Sequence, residues 1–152
     1  MTLYQLTGRI VAPFRVAGFN LFNHFFHVPR ARVVVRNKHG DLLLVKSWGA
    51  QVYWSLPGGG VKRNETPQQA ARRELSEEIN LQLSLNRFAY LMKVQYSYEA
   101  QIYTVTLTDE EVSRLSPSAR EILDCQWFSP ENLPTDLSPL AMLVLEKLSK
   151  DE

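Results

Sequence analysis

The sequence predicts an α/β domain, a sandwich of mixed strands and two principal helices, and three observations carry that expectation. Apolar runs of strand length, bounded by turn residues, occur on both sides of the middle of the chain. Between them a glycine run, Gly58-Gly59-Gly60, feeds a segment that opens like a capped helix. A second capped segment with an apolar stripe, from Ser138 to Leu148, closes the pattern. At 152 residues the chain is one domain by length, and long enough to bury roughly 70% of its unfolded surface.

Residues 1–29 are expected to be an apolar, helical extension of that domain. Leu3, Leu6, Ile10 and Val11 recur at helical spacing, Pro13 and Gly18 interrupt them, and Phe19, Leu21, Phe22, Phe25 and Phe26 then crowd together. Arg9, Arg15, Asn20, Asn23 and His24 leave no run near the roughly 20 apolar residues that a bilayer span needs. A cleavable signal is not expected, because the early basic region is weak and no small-residue cleavage site follows a clean apolar core. Two readings of residues 1–28 stay open: contact with the domain or a second subunit, and attachment to a membrane surface with Arg9 and Arg15 near headgroups. His24 and His27 lack a third ligand nearby and read as the polar edge of the aromatic cluster.

Residues 32–36 hold three consecutive valines and residues 41–46 a Leu-Leu-Leu-Val run, so both read as buried strands. Asn37-Lys38-His39-Gly40 between them is a turn signal, which makes the pair a hairpin with His39 at its tip. Residues 52–56 read as a short strand that Pro57 stops immediately before the glycines. Thr66 is the expected N-cap and Pro67 the first residue of a helix of about three turns. Beyond it, alternation of Leu81, Leu83 and Leu85 predicts a half-buried strand, and residues 88–98, 101–107 and 122–128 predict three more. The first two of these are expected to join near Glu99 and Ala100, and residues 108–115 read as a loop or short helical turn. The last helix is capped by Ser138 and Pro139, with Leu140, Leu143, Val144 and Leu148 on its buried face.

A formal net charge of +1 supplies no field that implies bulk binding to nucleic acid or acidic membrane. The single cysteine, Cys125, forms no intramolecular disulfide and fits a reducing cytoplasm. With no histidine nearby in sequence, it reads as a small core residue and not a nucleophile.

The chemistry is concentrated in the middle helix. Glu74, Glu77 and Glu78 stand three and four apart, so they are neighbours on a helix, where like charges repel. A hard divalent cation such as Mg2+ compensates, because it takes carboxylate oxygens together with substrate phosphate oxygens. An ordinary solvated helix face is the other reading of such a charge run. The spacing decides between them: Gly59, five residues, Glu65, seven residues, Arg73-Glu74-Leu75, one residue, Glu77-Glu78, one residue, then Asn80-Leu81. A chance match to the fixed positions in a chain of this length is on the order of one in a million.

This order resembles the Nudix box, and on it the chain is identified as a member of the Nudix hydrolase family over about residues 30–150. One position departs: the family has glycine where this chain has Asn80. Asn is the usual substitute for Gly in the left-handed conformation that closes a helix. The resemblance implies a Nudix-type α/β/α sandwich with its sheet between helices, residues 30–152 forming that domain. It implies that Glu74, Glu77 and Glu78, with the carbonyl of Gly58, bind Mg2+, Mn2+ being the alternative ion. It implies that Arg73 and Glu65 orient the cluster behind Gly59. The arginine also has an electrostatic reason to be there, since two carboxylates 5 Å apart repel by about 3 kcal/mol at an effective dielectric of 20. Arg72, Lys62 and Arg63 read equally as phosphate contacts or solvated charges.

Downstream, Arg120 to Phe128 resembles the stretch that supplies a further acidic residue in several branches of the family, and by that alignment the residue is Glu121. The catalytic candidates are thus Glu77, Glu121 and Arg73, with Asp109, Glu110 and Glu111 as substitutes for Glu121. The reaction implied is Mg2+-dependent hydrolysis of a phosphoanhydride bond in a nucleoside diphosphate linked to another group, so that the partner is a small nucleotide. One alternative is removal of pyrophosphate from RNA 5′ ends. Another is a non-catalytic nucleotide-binding module, which the complete acidic set argues against. Tyr96 or Tyr98 falls near the tyrosine of some dinucleoside polyphosphate hydrolases, but strands carry aromatics for packing reasons too. The proline that marks ADP-ribose hydrolases and a coenzyme A signature are both missing.

Overall fold

The structure, a computed structural model, describes residues 28–48 and 52–151. The expected helical extension, apart from Val28 and Pro29, and the His24–His27 reading therefore lie outside the described residues. In chain order the elements are β1 (Arg30–Arg36), β2 (Leu42–Ser47), β3 (Gly58–Gly60), α1 (Pro67–Ile79), a 3-10 turn (Leu85–Arg87), β4 (Ala89–Gln95), β5 (Glu99–Thr106), α2 (Asp109–Arg114), β6 (Ile122–Phe128) and α3 (Pro139–Asp151). The strands form one mixed sheet in the order β4-β5-β1-β2-β6, with β3 paired to β1. β1 and β5 run parallel, and the other pairs are antiparallel.

The three valines of β1 show why the sheet lies between helices. Side chains alternate along a strand, so Val33 and Val35 go to one face and Val34 to the other. The first pair joins Ala70, Ala71, Leu75 and Ile79 of α1. Val34 joins Leu42, Leu44 and Ile102 under Leu140, Ala141, Val144 and Leu145 of α3. Each such fully buried aliphatic side chain contributes about 1.5–3 kcal/mol. Both faces are thus dry, which is why an uninterrupted Val-Val-Val run is stable here.

The β1–β2 turn is closed by Asn37, whose Oδ1 accepts from the amides of His39 (2.9 Å) and Asp41 (3.0 Å), and by Gly40 at φ +86°. His39 is exposed at the tip, as expected. β2 then diverges from β1, and β3 fills the space against residues 30–32. α1 begins with a capping box: Thr66 Oγ1 accepts from Gln69 N, and Gln69 Oε1 accepts from Thr66 N. It ends at Asn80, in the left-handed region at φ 54°.

Three local expectations change. Leu81, Leu83 and Leu85 form no strand; the chain runs without regular structure into the 3-10 turn. Leu81 and Leu83 still fill the core beside α1, but the Gln68 side-chain amide, not a neighbouring strand, binds the carbonyls of Leu85 and Phe88. In place of a strand at 52–56 there are two isolated bridges, Val45 with Ser55 and Trp54 with Leu137. The β4–β5 turn sits at Tyr96–Tyr98, just before the expected Glu99–Ala100, and there Tyr96 N donates to Tyr98 O. Residues 108–115 resolve into α2, a helix of less than two turns with a capping box of Thr108 and Glu111. α3 is capped by Ser138 as expected, and Ala141 and Leu145 join its buried face. No described helix is long and apolar enough to cross a membrane.

Candidate active site

β3 meets β1 at Gly58 and α1 at Gly59, two glycines that have no room for a side chain. A Cβ on Gly58 would lie 2.2 Å from the Ala31 carbonyl oxygen, and φ there is +129°. A Cβ on Gly59 would lie 2.5 Å from the Glu74 carboxyl carbon. This close approach lets the Gly58 amide donate to Glu78 Oε2 at 2.8 Å. The Gly58 carbonyl accepts from the Arg32 guanidinium, which also holds the Leu56 carbonyl at 3.1 Å. Sequence reasoning missed Arg32, since nothing in a strand-flanking arginine signals that its partner will be the glycine loop.

Arg73 is the hub of the carboxylates. Its Nε and one terminal nitrogen donate to the two oxygens of Glu65 at 2.8 and 3.0 Å, a bidentate pair. The other terminal nitrogen donates to Glu74 (2.6 Å) and Glu77 (3.1 Å), and the Gly60 carbonyl takes a further bond at 2.9 Å. Arg73 thus links Glu65 to Glu74 and Glu77. The Arg73 hydrogen bonds hold Glu65 below the usual carboxylate range, and Glu65 in turn raises Arg73.

Glu121 arrives from the loop before β6. One oxygen each of Glu74, Glu77 and Glu121 lies within 4.8 Å of the others, the arrangement of three carboxylates around one point. The substitutes go elsewhere: Asp109 pairs with Lys38, Glu110 with Arg114 and Glu111 with Arg87. Lys62 reaches Glu77 at 3.8 Å while largely exposed, and Arg63 and Arg72 are exposed. Burial pushes the Cys125 thiol up to about 12, which leaves it unreactive as a nucleophile.

Burial also raises Glu74, against the pull of Arg73, and pushes Glu78 up to about 8, against the opposing effects of Arg32 and the Gly58 amide. Glu78 is 5% exposed, so its ionised form is poorly solvated in the metal-free protein. The sign follows. A folded-state value above the ordinary 4.5 means that the folded protein holds this proton more tightly, so stability is lost as pH rises through about 8. Without metal, the urea midpoint should fall between pH 5 and 8.5, and Glu78→Gln should remove most of that slope. Equal slopes in the two proteins would contradict the assignment.

The residues present fit a hard divalent cation. Opposite ligands of Mg2+ lie about 4 Å apart, close to the spread of the three carboxylate oxygens. Five carboxylates, Glu65, Glu74, Glu77, Glu78 and Glu121, gather around Arg73, Arg32 and the largely exposed Lys62, a local excess of negative charge that a cation relieves. Glu74, Glu77 and Glu121 would hold it. Glu78 and the Gly58 carbonyl, the other expected ligands, are engaged with Gly58 N and Arg32 respectively.

The family described as NUDIX domain matches residues 26–148 of the chain. An RNA pyrophosphohydrolase from Hydrogenovibrio crunogenus is 46% identical over 59 residues, which cover 37% of this chain and 33% of that protein. One from Actinobacillus succinogenes is 39% identical over 71 residues, 47% of this chain and 36% of that protein. The chain thus spans about a third of the length of these relatives. Among solved structures, a MutT NUDIX hydrolase from Burkholderia pseudomallei superposes with a TM-score of 0.65 at 25% identity, over 79% of this chain and 98% of that one. An Ap4A hydrolase of C. elegans gives a TM-score of 0.65 at 21% identity, over 80% and 96%. At that identity the likeness shows the fold alone.

Proposed function

The chain belongs to the Nudix family, and from that premise we propose that it hydrolyses a phosphoanhydride bond with Mg2+, removing pyrophosphate from the 5′ end of RNA. The convergence of Glu74, Glu77 and Glu121 beside Arg73 carries the hydrolysis. The RNA end is supported by the relatives named RNA pyrophosphohydrolase, and it replaces the nucleoside diphosphate derivative as the leading substrate.

Held by Glu74, Glu77 and Glu121, a Mg2+ ion would supply Lewis-acid neutralisation of the phosphate charge. The protein's own residues do the rest. Arg73 fixes Glu74 and Glu77 in place, so that little reorganisation is needed when the phosphates arrive. Glu121, on a loop at the mouth of the cluster, accepts the proton of the attacking water as its oxygen bonds to phosphorus and the anhydride P–O bond breaks. Next to Gly58 a small cleft is lined by Arg32, Ser55, Leu56, Tyr96, Tyr98 and Pro139. The Tyr98 ring carries the Arg30 guanidinium at 4.6 Å, and Tyr96 is half exposed at its rim. Aromatic and cationic groups of this kind suit a base stacked beside its phosphates.

Glu121→Gln should lower kcat by roughly 10²-fold, the usual scale for a positioned general base, with a much smaller change in KM. Turnover within a few-fold of wild type would return the role of base to Glu77. The substrate is tested with Mg2+ on a panel of 5′-triphosphorylated RNA oligonucleotide, dinucleoside polyphosphates, nucleotide sugars and deoxynucleoside triphosphates. Fast pyrophosphate release from the RNA is expected. A strong preference for a dinucleoside polyphosphate or nucleotide sugar would restore the small-nucleotide reading.

A further inference from the structure

The left-handed backbone at position 80 accounts for a glycine or an asparagine there, but gives the asparagine side chain nothing to do. In the structure that side chain is engaged: Asn80 Nδ2 donates to the Ser116 carbonyl at 2.6 Å. Two bonds from the loop back to α1 accompany it, Ser116 N to Ile79 O at 3.0 Å and Ser118 N to Glu78 O at 2.8 Å. Carbonyls in the last turn of a helix have no partner within the helix, and here the loop before β6 takes them. The Ser116 peptide leads into Pro117, which has no N–H, so its carbonyl is the only group it can offer.

From this anchor the loop turns once and delivers Glu121. The Ser118 carbonyl accepts from Glu121 N (3.0 Å) and from Ile122 N (2.8 Å). On the far side, Trp48 N donates to Glu121 O and Trp48 Nε1 to Ala119 O, each at 3.2 Å. The carboxylate between these two anchors is the one that meets Glu74 and Glu77.

We infer that Asn80 is a positioning residue for Glu121: its side chain ties the Ser116 carbonyl to the end of α1, so that Glu121 is held at the carboxylate cluster before substrate binds. A glycine would keep the helix end and both backbone bonds but lose this tie. Misplacement of a reacting group by about 1 Å can cost on the order of 10²-fold, so a partial loosening is expected to cost less. The inference rests on the role proposed for Glu121, and its test separates the two.

The test compares wild type, Asn80→Gly, Asn80→Asp, Glu121→Gln and the double variant Asn80→Gly/Glu121→Gln on the best substrate of the panel above. Asn80→Gly should lower kcat by about tenfold with KM within about twofold, and Asn80→Asp, which keeps the shape but removes the donor, should fall with it. In the Glu121→Gln background, Asn80→Gly should change kcat by less than about twofold, because the group it positions is already gone. Amide exchange of the metal-free protein gives a readout free of activity: the Ser118, Glu121 and Ile122 amides should exchange several-fold faster in Asn80→Gly, while those in the middle of α1 do not change. Wild-type kcat in Asn80→Gly or Asn80→Asp, equal losses in both backgrounds, or unchanged exchange would overturn the inference. Full turnover by Glu121→Gln would overturn the Glu121 role, and the inference with it.

Discussion

Glu77→Gln should lower kcat by about 10²-fold or more at saturating Mg2+, and leave the thermal midpoint within a few degrees of wild type. Both halves follow from where the side chain sits. Its carboxylate is one of the three that converge, so an amide there removes a charged oxygen at the point where phosphate charge must be neutralised. Yet it is 41% exposed and packs in no core, so folding does not depend on it. Loss of repulsion from Glu74 offsets loss of the exposed bonds to Arg73 and Lys62. Circular dichroism melts beside initial rates check both at once. A variant that melts far below wild type would mean that the carboxylate carries the fold.

Gly58→Ala should act in the opposite way, through stability. Its Cβ would overlap the Ala31 carbonyl oxygen at 2.2 Å, and the atom it meets is backbone, which cannot rotate away. A φ of +129° is also one that an alanine rarely adopts. β3 would have to part from β1, which would break the Gly58–Glu78 and Gly58–Arg32 bonds and leave the buried Glu78 carboxyl group without its backbone partner. Together these should cost at least about 3 kcal/mol, a large share of the 5–15 kcal/mol that holds a typical domain. Urea unfolding measures it, and a loss under 1 kcal/mol would show that the loop has room to move.

How much of this could be read in the sequence depends on how local each cause is. The ends of α1 were legible because Thr66, Pro67 and Asn80 each act on their own backbone. Glu74, Glu77 and Arg73 were legible too, since a helix converts their spacing directly into proximity. Leu81 to Leu85 misled because alternation shows which side chains are buried, but not whether a strand lies alongside to pair with. Glu121 was found through the family pattern alone. Its approach to Glu74 depends on a loop pinned to the end of α1 and to Trp48, residues far apart in sequence. Arg32 could not be found at all, because its partners are carbonyls of a loop more than 20 residues away.

Hydrolysis of a phosphoanhydride by this carboxylate cluster with a divalent cation is the activity proposed for the chain. The most direct test is pyrophosphate release from a 5′-triphosphorylated RNA oligonucleotide, followed by phosphorus NMR with Mg2+ and again after chelation, for wild type and Glu77→Gln. Release by wild type should stop on chelation and return with added Mg2+, and the rate should be lower by about 10²-fold or more for Glu77→Gln. Release that continues undiminished after chelation, or that proceeds as fast in Glu77→Gln, would contradict the proposal.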